Sequence, residues 1–321
     1  MPATPIDVSI LFANWNGRDI LRDAIRSVRE KTRGLTFEII VVDDCSTDDS
    51  VDMLRREFPD VKLIANERNL QFAKSNNIGV RHAKGQYVFL LNTDTQLFNN
   101  AVKVCMDFLT QHPEAGVCGC WLKGPDGSSQ VSFGSFPSFG QALVDAFFLN
   151  DLFPKAHLPS RGAIPDESIG GPMEVDYVTG AAIMIRKEVI DEIGLFDELY
   201  IAYTEETDFC YRVRHVLNKK VYFLPQAEIM HLGGMSYRAA PEYQVRLMYA
   251  GYDKFLKKYH GSTYSFSTRM LYAWSYFFKM SVRFFRYLFT PRDERQRKKR
   301  ELLSAWYAVR YSLLPDRGVI D

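Results

Sequence analysis

Apolar and polar positions alternate in two rhythms along the first third of the chain. Residues 8–12, Val8-Ser9-Ile10-Leu11-Phe12, are a short apolar run closed by Asn14-Trp15-Asn16-Gly17, which predicts a strand entering a loop. Over residues 19–31 the apolar positions Ile20, Leu21, Ala24, Ile25 and Val28 recur at helical spacing. Residues 37–42 end in a continuous β-branched run, Ile39-Ile40-Val41-Val42, the pattern of a strand buried on both faces. Ser46 or Thr47 is then placed to cap a helix with Asp48 and Asp49 in its first turn. The same reading gives strands over 61–65, 87–91 and 115–121, and helices over 71–83 and 101–111. Alternating strand and helix predicts a parallel, doubly wound sheet over the first ~120 residues.

The rhythm breaks over residues 123–174, which are rich in Gly, Pro, Ser and Phe and include Phe133, Phe136 and Phe139. A stretch this long without clear regular pattern reads as a functional loop or lid rather than a connector. Order resumes with a strand over 175–185, a short helix from Lys187, a helix over 205–217, and short strands over 221–224 and 227–231.

From about Phe266 a helix wheel places Arg269, Lys279, Arg283 and Arg286 on one face. Leu271, Trp274, Phe277, Phe278, Phe285 and Phe289 fall on the other. Four charges argue against a membrane span. A basic face opposite an apolar one suits a helix lying in a membrane interface, and packing on a second subunit is the alternative. A charged run over 292–300 follows, and Leu302, Leu303, Trp306 and Tyr307 open a second amphipathic piece. The division expected is a catalytic domain over 1–261 and basic, aromatic helices over 262–321.

Composition narrows the class. At 321 residues, 46% hydrophobic and 25% charged, the chain has the make-up of a folded globular protein. A net charge of +1 gives no bulk electrostatic case for binding nucleic acid. Five cysteines without C-x-x-C spacing fit a reducing compartment better than a disulfide framework or a zinc site. Residues 1–5 lack the basic and apolar regions of a signal peptide, so a cytoplasmic location is expected.

Candidate chemistry clusters where strands end, the place where open α/β sheets bind ligands. Asp43-Asp44 follows the second strand and can accept hydrogen bonds from a base N–H or ribose hydroxyls, although the same stretch is a good helix cap. Asn92-Thr93-Asp94 offers hard oxygen ligands for Mg²⁺ or Mn²⁺ bridging a diphosphate, or forms an ordinary turn. Glu205-Glu206-Thr207-Asp208 gathers carboxylates that raise one another's pKa, as a general base requires, or is an acidic first helical turn. His231 follows an apolar strand and precedes Gly233-Gly234, where it can complete a metal site or serve structurally.

Taken in order, several stretches resemble glycosyltransferase family 2, the inverting GT-A fold enzymes, in particular the rhamnosyltransferase-like branch of cell-surface polysaccharide assembly. They are residues 14–17, 41–48, 69–77, 85–94, 179–184 and 194–198, with the Glu205–Asp208 cluster and His231. The resemblance covers about residues 7–235. It implies an α/β GT-A fold, a Rossmann-like mostly parallel sheet flanked by helices, here with a C-terminal amphipathic helical extension. It implies Asn14 and Asn16 near the nucleotide and Asp43, with Asp44 beside it, at the base or ribose. Asn69, Phe72, Asn76, Asn92 and Thr93 would line the diphosphate and sugar side. Asp94 and His231 would bind Mg²⁺ or Mn²⁺, and Asp197 and Glu198 would face the acceptor. The family's base is the Asp of a Glu-Asp pair. Glu206 stands there in this chain, which leaves Glu206, Glu205 and Asp208 as catalytic candidates.

The implied partners are a nucleoside-diphosphate sugar, dTDP-L-rhamnose favoured, and a saccharide or polyprenyl-linked saccharide acceptor at the inner face of the cell membrane. A G-x-G-x-x-G dinucleotide loop is absent after the first strand, which speaks against an oxidoreductase. The remaining alternative is a non-catalytic, membrane-associated assembly protein that keeps the nucleotide-sugar fold.

Overall fold

Parallel strands need crossovers, and here helices supply them. In the computed structural model, β1 (Val8–Asn14), α1 (Arg18–Lys31), β2 (Phe37–Asp43), α2 (Ser50–Glu57), β3 (Lys62–Ala65), α3 (Gln71–Val80) and β4 (Tyr87–Asn92) follow in strict alternation. Next come β5 (Thr95–Leu97), α4 (Ala101–Gln111), β6 (Ala115–Lys123), β7 (Phe133–Gly134), α5 (Phe139–Ala146) and α6 (Leu149–Leu152). Then follow β8 (Met173–Val175), β9 (Tyr177–Val178), β10 (Ala182–Arg186), α7 (Lys187–Ile193), α8 (Glu205–His215) and β11 (Lys220–His231). The last helices are α9 (Pro241–His260), α10 (Ser262–Leu288) and α11 (Arg295–Leu313). The structure describes residues 5–153, 158–160, 162–233, 241–291 and 294–314. Gly234, and residues 292 and 293 of the charged run, lie outside them.

Two compact units divide the chain. The first comprises residues 1–134, 162–201 and 205–235, and the second residues 135–161, 202–204 and 236–321.

The first unit is built on one sheet in the order β3-β2-β1-β4-β10-β6-β11-β5, with β8 also paired to β11. β3, β2, β1 and β4 are parallel, as the alternating pattern predicts. β10 is inserted antiparallel between β4 and β6, so the sheet is mostly parallel rather than wholly so. One face buries Val8, Ile10 and Phe12 against Leu21, Ile25 and Val28 of α1. The other receives α3, whose Gly79 sits so close that an added Cβ would lie 2.3 Å from Leu11 Cδ1. Helices on both faces explain why β1, β2 and β4 are apolar without alternation.

Several local expectations need correcting. Ser46 and Thr47 do not cap α2, which starts at Ser50 with no side-chain cap bond. Asp48 and Asp49 therefore precede its first turn. Asp48 Oδ1 instead accepts from Ser50 N at 3.1 Å. The strand expected over 175–185 is three strands with different partners. β8 pairs with β11, β9 with β7, and β10 with β4 and β6. The two short strands after 220 are one, β11, whose register jumps between Leu224 and Glu228. Pro225 falls in that irregularity, where a residue without an N–H is tolerated. The stretch 123–174 is not structureless, since it holds β7, α5, α6 and β8.

The second unit packs α5, α9, α10 and α11 together. Its most polar knot is Asp253, which accepts from Lys257 Nζ at 2.6 Å, Ser265 Oγ at 2.7 Å and Arg269 Nη1 at 3.1 Å. Arg269 also donates to the Ser312 and Leu313 carbonyls at the end of α11. The buried face of α10 carries the small residues Ser265, Thr268, Ala273 and Ser275 around the fully buried Tyr272. Its aromatic face is turned outward: Trp274, Phe277, Phe278, Phe285 and Phe289 are all exposed, the last at 86%. A groove of about 400 Å³ opens beside it, lined by Met280, Phe284, Phe285, Leu302, Leu303 and Trp306. Among the described residues, no helix is long and apolar enough to cross a membrane.

Candidate active site

Parallel register brings the candidate residues to one edge. Asn14 pairs with Asp43, Ala13 with Asn92, and Asp43 with Ala65, so three strands deliver polar residues at the same level. The antiparallel β10 begins at that edge, and Asn92 N donates to Ala181 O at 2.9 Å. Three non-glycine residues in the loops leaving these strands have left-handed backbones: Asn16, Cys45 and Gln71, with φ of 51°, 60° and 73°. Such positions cost on the order of 1–3 kcal/mol each and concentrate where function demands a fixed loop shape.

Asp43 and Asp44 are both buried, yet they do different work. Asp43 Oδ1 accepts from Asn14 Nδ2 at 2.8 Å and Ser46 Oγ at 2.7 Å, and Oδ2 accepts from Ser46 N at 2.9 Å. Asn16 ties the same loop, its Oδ1 accepting from Thr47 N at 2.7 Å. Asp44 turns to the loop before α3. It accepts from Asn66 Nδ2 at 3.0 Å, Leu70 N at 2.7 Å and Gln71 N at 2.7 Å. Asp44 thus fixes the start of α3. Asn69 Oδ1 also accepts from Gln71 N, at 3.0 Å. Within α3, Asn76 is buried and donates to Phe72 O. Phe72 stacks on Phe196 at 6.0 Å between centroids. Asn77 spans to the loop after α7, donating to Phe196 O and to Glu198 Oε1 at 3.1 Å. Asp197 closes that loop by accepting from Leu199 N.

Asn92, Thr93 and Asp94 lie in the turn from β4 into β5, and Thr95 Oγ1 closes it on Asn92 O at 2.7 Å. β11 runs beside β5 with His231 opposite Thr95, and Leu232 N donates to Asp94 O. His231 Nε2 consequently lies 3.5 Å from Asp94 Oδ1, with both side chains largely buried. Asn92 Oδ1 is buried without a hydrogen-bond partner among the described residues. A carboxylate, an imidazole nitrogen and an orphaned amide oxygen are ligands that Mg²⁺ or Mn²⁺ accepts. No three His, Cys, Asp or Glu side chains converge into a cage among the described residues.

α8 presents the carboxylate cluster. Asp208 is fully buried, with Oδ2 accepting from Arg212 Nε at 2.9 Å and Oδ1 from Tyr200 Oη at 3.2 Å. Arg212 in turn donates to the Ile193, Gly194 and Leu195 carbonyls. Glu205 is buried and its Oε2 lacks a hydrogen-bond partner among the described residues. Burial first, and the Glu206 charge second, hold its carboxyl well above the usual carboxylate range. Glu206 is the partly exposed member. It lies against Gly180, where an added Cβ would sit 3.8 Å from the Glu206 carboxyl carbon. Because Ala181 is bonded to Asn92, Glu206 borders the edge that carries the Asn92–Asp94 turn.

Gln130 had no signal in the sequence, since it falls in the Gly/Ser-rich stretch after β6. It bonds His231 twice, Oε1 to Nδ1 at 2.9 Å and Nε2 to the backbone carbonyl at 2.8 Å. Asn77 and Ser46 were likewise given no site role, although both fix site loops.

This sheet order, with carboxylates and an imidazole gathered at the strand ends, defines a GT-A fold. The chain belongs to glycosyl transferase family 2, whose family model matches residues 9–194. It is 23% identical over 208 residues to the N-acetylglucosaminyl-diphospho-decaprenol L-rhamnosyltransferase of Mycobacterium tuberculosis, covering 60% of this chain and 66% of that protein. It is 25% identical over 260 residues to the O-antigen biosynthesis protein RfbC of Myxococcus xanthus, covering 78% of this chain and 19% of that protein. The matched stretches thus span only part of these relatives. Among solved structures, the mannosyltransferase PcManGT from Pyrobaculum calidifontis, in complex with GDP-Man and Mn²⁺, superposes with a TM-score of 0.59 at 13% identity. That match covers 98% of this chain and 88% of that one.

Proposed function

We propose that this protein is an inverting, metal-dependent glycosyltransferase of cell-surface polysaccharide assembly, transferring L-rhamnose from dTDP-rhamnose to a saccharide acceptor, a polyprenyl-linked one favoured. The observation that carries the reading is the Asp94–His231 pair at 3.5 Å, with the orphaned Asn92 oxygen in the same turn as Asp94. The choice of donor and acceptor class draws on the mycobacterial relative. The catalytic domain is taken as residues 1–261, with 262–321 as the helical extension.

Asn14, Asn16 and Asp43, with Asp44 holding the adjoining loop, take the nucleoside end of the donor. Asn69, Phe72, Asn76 and Thr93 line the diphosphate and sugar. Asp94 and His231, with Asn92, hold Mg²⁺ or Mn²⁺, which supplies Lewis-acid stabilisation of charge on the departing diphosphate. Glu206 is the general base. It takes the proton from an acceptor hydroxyl as that oxygen forms its bond to the anomeric carbon. The bond from that carbon to the diphosphate oxygen breaks, and the electron pair leaves with the diphosphate. One in-line displacement inverts the anomeric centre. Asp197 and Glu198 face the acceptor. Glu205 lies beside the base, and Asp208 through its ion pair keeps α8 in place.

The outward aromatic face of α10, with Lys279, Arg283 and Arg286 and no acidic residue on that helix, supports a helix lying at an anionic membrane surface. On this reading the enzyme works at the inner face of the cell membrane on a polyprenyl-linked acceptor.

The test is donor binding by calorimetry, first with Mn²⁺ and then with EDTA. The panel is dTDP-rhamnose, UDP-glucose, UDP-galactose, UDP-N-acetylglucosamine and GDP-mannose. The expected result is Mn²⁺-dependent binding of dTDP-rhamnose in preference to the others. Preference for another sugar nucleotide would reassign the donor, and no binding by folded protein would favour the non-catalytic alternative.

A further inference from the structure

We infer that Gln130 is a positioning residue for the metal site, fixing His231 in the one neutral tautomer that can coordinate a cation on the side of Asp94. The inference rests on the proposed metal-dependent reading of that site.

The reasoning starts from a backbone carbonyl, which can only accept. Gln130 contacts the His231 carbonyl at 2.8 Å, so the atom facing it must be the amide nitrogen. The amide cannot flip without setting two acceptors against each other. Its oxygen therefore faces His231 Nδ1, 2.9 Å away, and Nδ1 must carry the proton. In the neutral ring Nε2 is then the lone-pair nitrogen, and it is Nε2 that lies 3.5 Å from Asp94 Oδ1. Two acceptors facing each other at that distance are satisfied by a cation between them.

Gln130 is itself held. Its N–H donates to Leu122 O of β6 at 2.8 Å, and its carbonyl accepts from Ser132 Oγ at 3.0 Å. Gly233 lies against its amide, where an added Cβ would make ordinary contact at 3.8 Å with both Oε1 and Nε2. A partner that fixes ring orientation and tautomer is the usual support of a metal-binding imidazole, and its loss typically weakens metal binding by ~10- to 100-fold.

Removing the Gln130 oxygen frees the other tautomer, in which Nε2–H donates to Asp94 and the coordinating lone pair is gone. The test reads this directly on the full chain. In metal-free protein at about pH 8, above the usual histidine range, the ¹⁵N shifts of the His231 ring report the tautomer. Mn²⁺ titrated with saturating dTDP, followed by the electron paramagnetic resonance of free Mn²⁺, reports affinity. Wild type should show Nδ1–H. Gln130→Leu should move the population toward Nε2–H and bind Mn²⁺ ~10- to 100-fold more weakly. Gln130→Glu keeps an acceptor for Nδ1–H and should restore that tautomer, while its second oxygen loses the donation to the His231 carbonyl. Gln130→Met carries the same test if the leucine variant does not fold. Wild-type tautomer and wild-type Mn²⁺ affinity in the leucine variant would overturn the proposal. If wild type shows Nδ1–H but binds no Mn²⁺ with dTDP, the metal reading itself falls, and the role assigned to Gln130 falls with it.

Discussion

Asp208 gives one carboxylate oxygen to Arg212 Nε at 2.9 Å and the other to Tyr200 Oη at 3.2 Å, with no exposed surface of its own. That closed pair separates it from its neighbour Glu206, two residues earlier. Arg212 anchors the end of α7 through three backbone carbonyls, so the pair ties α8 to the loop that carries Asp197 and Glu198. Removing one member of a buried ion pair leaves the other charge uncompensated and costs ~3–5 kcal/mol. Asp208→Ala should lose about that much in urea unfolding, while its folded fraction still binds donor. Unchanged stability with abolished turnover would make Asp208 the base instead.

Glu205 provides a pH test of the same helix. Its carboxyl is held well above the usual range, by burial first and by the Glu206 charge second. Such an acid binds more protons folded than unfolded. Its contribution to stability is fully present below the unfolded pKa of 4.5 and is lost as pH rises through the raised folded value. Glu205→Gln removes that dependence. The thermal midpoint of the variant should therefore gain on wild type as pH rises from about 4 to about 9. Parallel midpoint curves would contradict this account of Glu205.

Asp44 predicts a loop defect rather than a lost ligand. Its three hydrogen bonds hold Asn66 and the amides of Leu70 and Gln71, the last with a left-handed backbone. Each buried donor left unsatisfied costs ~1–3 kcal/mol. Asp44→Ala should lower stability and raise hydrogen exchange at residues 69–72 before it affects anything at His231. Native exchange in that loop would show that Asp44 does not hold it.

The exposed aromatic face carries a membrane prediction. Phe285 and Trp306 line the groove and both are exposed, so charge there should leave the fold intact. The Phe285→Glu/Trp306→Glu double variant should lose binding to vesicles containing anionic lipid. Wild-type binding should fall as salt rises, because basic residues near such a surface contribute ~1 kcal/mol each. Undiminished vesicle binding by the variant would remove these helices from the interface.

Most of the sheet was legible because buried parallel strands leave unbroken apolar runs such as 87–91, and crossover helices leave helical spacing such as 19–31. What failed was pairing and interruption. No local pattern separates β10 from β8 and β9, because only their partners distinguish three strands from one. β11 looked like two strands because Pro225 sits inside it. α9 was missed altogether: its tyrosines and lysines give no clean apolar stripe, and Asp253 is buried by partners up to 16 residues away in sequence. The candidate site was legible where acids stand at strand ends, and Asp94 and His231 meet only through the pairing of β5 with β11. Gln130 was invisible, because its meaning lies entirely in a contact with a residue 101 positions away.

The most direct test of the central claim compares wild type with Glu206→Gln in two assays. One is Mn²⁺-dependent binding of dTDP-rhamnose, and the other is incorporation of labelled sugar from that donor into membrane-derived, lipid-linked saccharide. Loss of a positioned general base costs ~10²- to 10⁴-fold in rate. The account predicts that the variant binds donor as wild type does and transfers sugar slower by that factor. Near-native transfer by Glu206→Gln, or no transfer by wild type that binds the donor, would contradict it.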